Sequence, residues 1–186
     1  RFWSVVEGKY QPYWLANSRN KLPITLNLKH PKGQKILRQL VERADVLLEN
    51  MRPGTLDRLG FSAPELSKIN PRLVIGRISG YGQTGPYSAK PGFGTLAEAM
   101  SGFAHITGEK NGPPTLPALA LADGIAGLFG AAAVMFALRW RDVGNGKGEG
   151  QYIDMSLYEP LFYILGPQVS YFDQLGVAQQ RSGNRG

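Results

Sequence analysis

The sequence has no cysteine and only two histidines, His30 and His105. The first absence excludes a disulfide framework, a thiolate metal site and a cysteine nucleophile. The second argues against a histidine-rich metal centre, so no resident metal is expected. Acidic side chains are also few, 14 against 21 basic ones, and the net charge is +7. Such a surplus raises nucleic acid as a partner. However, the basic residues are scattered, no run of five like charges occurs, and no nucleic-acid motif accompanies them. A phosphorylated small molecule suits the surplus better. Long hydrophobic runs are missing too: the longest, Gly124 to Leu138, has 15 residues and is too short to span a bilayer. These absences leave a soluble globular chain that meets neither nucleic acid nor membrane.

What is present supports a folded domain. The chain has 186 residues, enough for one domain or for one domain with a piece of another. Hydrophobic residues make up 42% and aromatics 10%, which supplies a core and excludes intrinsic disorder. Both ends read as cut: the chain opens on Arg1 without an initiator Met and stops at Gly186 after a turn-like Ser182-Gly183-Asn184.

The hydrophobic pattern predicts an α/β fold. Ile24, Leu26 and Leu28 alternate with polar residues as in a half-buried strand. Pro31 then starts a helix with Ile36, Leu37, Leu40, Val41 and Ala44 at helical spacing. Val46-Leu47-Leu48 reads as a buried strand ending in Glu49-Asn50. Two short helical turns follow, the second marked by the capping pair Ser62 and Glu65. Leu73 to Ile78 is the next strand. Strand and helix in alternation are the signature of a parallel sheet with crossover helices. Further on, a helix is expected over Leu96 to Ile106 and a long Ala/Gly helix from Asp123 to about Arg141. A glycine-rich turn at Gly144 to Gly150, a strand at Tyr152 to Ser156 and a helix from Leu157 to Leu175, kinked at Gly166-Pro167, complete the pattern.

Four places invite chemistry. Gly80 to Gly85 satisfies G-x-G-x-x-G after a strand, but Pro86 and Pro91 prevent the immediate helix that dinucleotide binding needs. It reads as a glycine-shaped loop near a ligand. Asp123 is the one charged residue between Lys110 and Arg139. It reads either as a helix cap or as an ionised carboxylate, in a small-residue surround, that can attack an acyl carbon. Gly124, Gly127 and Gly130 would let another backbone approach the same helix face. Asn50 to Gly60 lies at the carboxyl end of a strand, where open sheets bind ligands. There Arg52 and Arg58 straddle Pro53-Gly54 as a phosphate clamp or, equally, as a solvated loop with a surface ion pair to Asp57. His105, between Ala104 and Ile106, suits a core or rim position better than a catalytic one.

Read together, these segments resemble the family III CoA-transferases, the CaiB/BaiF family that also contains 2-methylacyl-CoA racemases. The matching stretches are Leu15 to Lys21, Ala44 to Gly54, Ile78 to Tyr87, Pro91 to Phe93, Ala99 to Gly102, Ile106 to Gly108, Leu121 to Asp123 and Gly148 to Ser156. Their order covers nearly the whole chain.

The resemblance implies a Rossmann-like parallel sheet: residues 1–175 as a partial large domain lacking its N-terminal strand and loop, and 176–186 as the start of a linker to an absent small domain. It implies a CoA-transferase that moves CoA from an acyl-CoA to a carboxylic acid. Asp123 would be the catalytic aspartate, working through aspartyl anhydride and aspartyl-CoA thioester intermediates. Asn50, Met51 and Arg58 match positions that contact the CoA nucleotide, and Phe93 lines the thioester end where racemases carry a histidine. Gly94 replaces an acidic residue often found there, and the Gly-rich loop that closes over the family's site has no convincing copy in these 186 residues. CoA and acyl-CoA enter as substrates, with no tightly bound cofactor. The same resemblance suggests a cytoplasmic enzyme that forms an interlocked homodimer at full length. A racemase, which would have to recruit another base such as His105, and a non-catalytic CoA-binding fragment are the alternatives.

Overall fold

A computed structural model describes residues 11–143 and 148–184. The glycine-rich turn expected at Gly144 to Gly150 therefore lies partly outside the described residues. After a short helix α1 (Pro12–Asn17), the chain runs without ladder pairing through the segment expected to be a strand at Ile24 to Leu28. Alternation prepares a strand but does not make one. A ladder needs backbone groups of a neighbouring strand within reach, and among the described residues this segment is not part of the β1-β2-β3 sheet. Instead residues 26–28 press against the start of the next helix, where Gly33 leaves no room for a side chain beside the Asn27 carbonyl.

Helix α2 (Pro31–Arg43) starts where Pro31 can take the first helical position, and His30 caps it by accepting the Lys32 N–H at 3.2 Å. Strand β1 (Val46–Glu49) follows. Then come α3 (Thr55–Arg58) and α4 (Ala63–Ile69), the latter capped by Ser62 Oγ on the Glu65 N–H. Asn70, just past α4, donates to the carbonyls of Val41 and Ala44 at 3.0 and 2.9 Å and so satisfies the last turn of α2. Strand β2 (Val74–Ser79) lies between β1 and β3 (Tyr152–Ser156), and both pairings are parallel.

The two faces of this sheet are covered differently. Val41, Leu56, Phe61, Leu66, Leu73 and Ile75 form the main core on the side of α2 and α4. Fully burying a side chain of that kind contributes about 1.5–3 kcal/mol. The other face, with Gly76, Ile78 and Met155, receives the long helix α7 (Leu121–Val143). A side chain at Gly130 would stand 3.3 Å from Ile78 Cδ1, so this glycine permits the close approach. Gly124 and Gly127 meet nothing within 4 Å, so the expected glycine stripe serves contact at one position only.

As folded, α7 has 23 residues and, by length and composition, is long and apolar enough to cross a membrane, which the shorter apolar run did not suggest. In the structure it packs on β2, β3, α5 (Gly94–Met100) and α8 (Tyr158–Ile164).

Two expected helices are broken. The one over Leu96 to Ile106 divides into α5 and α6 (Phe103–Ile106), because Gly102 takes φ +91°, a left-handed conformation no helix interior holds. The last divides at Gly166-Pro167, as expected, into α8 and α9 (Gln168–Leu175). A second small cluster joins Ala97 of α5, Ala122 of α7 and Leu161 of α8, all fully buried. It fixes the first turn of α7 at the carboxyl end of the sheet.

Candidate active site

Asp123 is the third residue of α7, inside its first turn, and so is not the residue that precedes and caps the helix. Its carboxylate lies at the amino-terminal end of the helix, beside backbone N–H groups that have no acceptor within the helix. Among the described residues it forms no ion pair. It opens onto a cleft of about 510 Å³ at the carboxyl ends of β1 and β2. Leu48, Glu49 and Asn50 come from β1 and its exit, and Ile78, Ser79 and Gly80 from β2. Gly92 and Phe93 close one side, and Gly127 and Leu157 another. Gly127, one helical turn beyond Asp123, keeps the wall beside the carboxylate free of bulk.

The loop between β2 and α5 builds the rim. Gly80 and Gly92 meet backbone to backbone: a Cβ on Gly80 would lie 2.5 Å from Gly92 Cα. Gly82 takes φ +83° next to the carboxylate of Asp154, which accepts the Gln83 N–H at 3.0 and 2.9 Å. No helix begins until Gly94, so the G-x-G-x-x-G run shapes a rim and does not form a dinucleotide turn. Gly94 itself abuts the candidate nucleophile. An added Cβ would stand 3.0 Å from Asp123 Oδ2.

A smaller pocket of about 190 Å³ shares Asn50, Ser79, Gly80, Gly92 and Phe93 with the cleft and extends it to Met51, Arg52 and Lys90. The structure thus brings Asn50, Met51, Phe93 and Asp123 around two adjoining pockets, with Gly94 buried directly against Asp123. It places Arg58 elsewhere. That guanidinium is exposed, donates to Thr55 Oγ1 at 3.2 Å, and lines a separate groove with Leu26 to Lys29. His105 is also apart, on the rim of an apolar pocket between α6, α8 and α9.

The polar residues behind the cleft were not evident from periodicity. Register sets Glu49 beside Arg77 across β1 and β2. Arg77 is 4% exposed, and its Nε lies 3.2 Å from Glu49 Oε1, within ion-pair range though not aligned for a hydrogen bond. The same guanidinium donates to both oxygens of Asp57, at 2.8 and 3.3 Å. Asp57 therefore holds a buried arginine and forms no surface pair with Arg52 or Arg58. Burial opposes the charge on Arg77, but the Asp57 bond and the neighbouring carboxylates outweigh it and raise its pKa above the ordinary arginine value. Glu49 Oε2 in turn accepts the Met51 N–H at 2.7 Å, which pins the loop that carries Asn50 and Met51.

Ser79, at the junction of the two pockets, has a buried Oγ with no hydrogen-bond partner among the described residues. Leaving such a hydroxyl unmet costs about 1–3 kcal/mol, so it is a natural contact for a bound polar group. Lys90, a cation over the Tyr87 ring at 3.8 Å, was likewise missed; its only sequence signal was a lone positive charge in a loop.

A family model described as CoA-transferase family III matches residues 1–186. The chain belongs to CoA-transferase family III. It is also similar to proteins named as CoA-transferases. It is 45% identical over 172 residues to the succinyl-CoA–L-malate CoA-transferase beta subunit of Chloroflexus aurantiacus, covering 92% of this chain and 42% of that protein. It is 40% identical over 179 residues to the acetyl-CoA:oxalate CoA-transferase of Acetobacter aceti, covering 96% and 45%. Among solved structures, a CaiB/BaiF family protein from Brucella suis superposes with a TM-score of 0.88 at 35% identity, covering 96% of this chain and 47% of that one. This member of CoA-transferase family III thus spans less than half the length of the relatives it matches.

Proposed function

We propose that the protein containing this chain transfers CoA from an acyl-CoA to a carboxylic acid, with Asp123 as the nucleophile. The observation that carries this reading is Asp123 in the first turn of α7, opening onto a cleft with a small-residue wall. The named transferase activities of its relatives support the class of reaction.

In the first step an Asp123 carboxylate oxygen attacks the thioester carbon, the C–S bond breaks, and CoA leaves as thiolate. This makes a mixed anhydride between the acyl group and Asp123. The thiolate then attacks the aspartyl carbonyl, which releases the donor acid and leaves an aspartyl-CoA thioester. The acceptor carboxylate displaces thiolate to form a second anhydride. Thiolate attack on the acceptor acyl carbon finally gives the new acyl-CoA and restores the Asp123 carboxylate. No net proton is gained or lost. A carboxylate suffices as nucleophile because the thioester carbon is already activated.

The remaining residues bind and orient. Phe93 covers the thioester end beside Asp123, and Gly94 leaves room for the Asp123 carboxylate itself. Asn50 and Met51, fixed through Glu49 and Arg77, take the CoA nucleotide along the outer arm, where Arg52 and Lys90 add positive charge for its phosphates. Arg58, in the neighbouring groove, serves the outermost phosphate. The full-length protein works as a homodimer in this reading. CoA thioesters are substrates, with no tightly bound cofactor.

Hydroxylamine trapping in the full-length protein tests the mechanism. With acyl-CoA bound, the expected adduct is a hydroxamate at the peptide carrying Asp123, and Asp123→Ala lowers kcat roughly 10³-fold or more. An enzyme that turns over without an adduct at Asp123, or that keeps full activity as Asp123→Ala, would sink the mechanism.

A further inference from the structure

Glu98 is 3% exposed, on the face of α5 that packs against α7. Among the described residues no cation pairs with it. A buried carboxylate in that state needs a compensating donor. The donor is the backbone of α7: the Ala122 N–H gives a hydrogen bond to Glu98 Oε1 at 3.2 Å.

The sequence at the start of α7 explains why help from another helix is needed. The first N–H groups of any helix have no acceptor within it, and Ser, Thr, Asp or Asn normally supplies one from the position just before. Here that position is Ala120, whose side chain accepts nothing. Leu121 N–H turns back to the Leu119 carbonyl at 2.9 Å, and Gly124 N–H takes the Ala120 carbonyl at 3.0 Å. The Ala122 N–H takes the Glu98 side chain. Ala97 and Ala122, both fully buried, are small enough to let the two helices come this close. Glu98 also lies about one helical turn from Gly94, the residue that abuts Asp123 Oδ2.

We propose that Glu98 is a positioning residue for the reaction: it caps α7 from α5 and so holds the turn carrying Asp123 at a fixed distance from the start of α5. This rests on the reading of Asp123 as the nucleophile. The hydrogen bond carries the effect, so a neutral amide with the same reach should replace the carboxylate.

The test uses the full-length protein as Glu98→Ala, Glu98→Gln and Asp123→Ala. Amide hydrogen exchange of the peptide containing Ala122 should speed up roughly tenfold in Glu98→Ala and stay near wild type in Glu98→Gln. In CoA transfer, Glu98→Ala should lose roughly 10- to 100-fold in kcat with KM for the acyl-CoA little changed, the pattern of a misplaced nucleophile. Glu98→Gln should keep most of its kcat. Unchanged exchange in Glu98→Ala, or a folded Glu98→Gln that loses as much kcat as a broken site, overturns the proposal. Should Glu98→Ala not fold, the Gln variant alone decides by the same criterion. Asp123→Ala separates the two failures: full turnover there sinks the nucleophile reading, whereas turnover lost there but kept in Glu98→Ala sinks the clamp.

Discussion

The two ends of α7 both carry charge, and they are treated in opposite ways. At the carboxyl end Arg141 is 7% exposed and saturated with partners. Its guanidinium reaches Asp45 and Asp142 at 2.9 and 2.7 Å and donates to the Arg72 carbonyl at 3.0 Å. It thereby ties the helix to the residues that precede β1 and β2. At the other end Asp123 forms no ion pair among the described residues, and the backbone around it is small: Gly94 across the gap, Gly124 beside it, Gly127 one turn on. A saturated cation stabilises a fold but has no bonding capacity left for chemistry. An unpaired carboxylate at the mouth of a cleft adds little stability and keeps its lone pairs for a substrate. On the proposed reading, one helix holds an anchor near one end and the nucleophile near the other.

The largest expected effect that sharpens this contrast is at the anchor. Arg141→Met should destabilise the protein by about 1–2 kcal/mol, because it removes the bond to the Arg72 carbonyl and the two carboxylate contacts, which water and Arg72 replace only in part. The value stays below that of a fully buried pair because Asp45 is 75% exposed. Urea unfolding should register this loss while kcat per folded molecule stays unchanged. A fall in kcat without a fall in stability would erase the distinction between the ends. The variant should also alter the acid limb of the stability profile. The hydrogen bond from Arg141, helped by its charge and that of Arg72, holds the Asp142 pKa below the ordinary aspartate value. A depressed folded pKa gives stability that is present above the unfolded value and lost as pH falls through the folded one. That acid-side loss should shrink in Arg141→Met.

A smaller effect is expected at the open end. Gly94→Ala adds a methyl 3.0 Å from Asp123 Oδ2, so the carboxylate must shift by a few tenths of an ångström. We expect kcat to fall roughly three- to tenfold with little change in melting temperature. An unchanged kcat would mean that the space beside Asp123 is not used in the reaction. The smallest effect concerns Arg58, exposed and outside the main cleft. Arg58→Ala should weaken CoA binding by about 1 kcal/mol, less at high salt, with the chemical step unaffected. Titration of CoA into both proteins at two ionic strengths checks this, and equal affinities at low salt would remove Arg58 from the site.

Much of the fold was legible because its causes are local. Pro31 and the spacing through Val41 define α2, Ser62 caps α4, and the apolar runs at Val46 and Val74 become neighbouring parallel strands. Where the sequence misled, a non-local condition was missing. Ile24 to Leu28 alternates like a strand but has no ladder partner among the described residues. Leu96 to Ile106 keeps a helical pattern across Gly102, whose left-handed backbone ends one helix and starts another. The site divides in the same way. Asp123, Asn50, Met51, Phe93 and Gly94 could be named from their segments, whereas Glu49, Arg77 and Glu98 acquire their roles only through neighbours distant in sequence.

The sequence by itself determined the class of the fold, the family and the candidate nucleophile, since periodicity, turn residues and short motifs are properties of contiguous chain. Only the tertiary structure decided which of these residues share a space. Strand register placed Glu49 against Arg77, helix α5 ended at Gly102, and α5 brought Gly94 to Asp123 and Glu98 to the Ala122 N–H. Arg58 was left in another groove by the fold of the loop before α3. The physical reason is that hydrogen bonds and packing reach only a few ångströms. Residues tens of positions apart can interact at that range only after the sheet and helices have assembled.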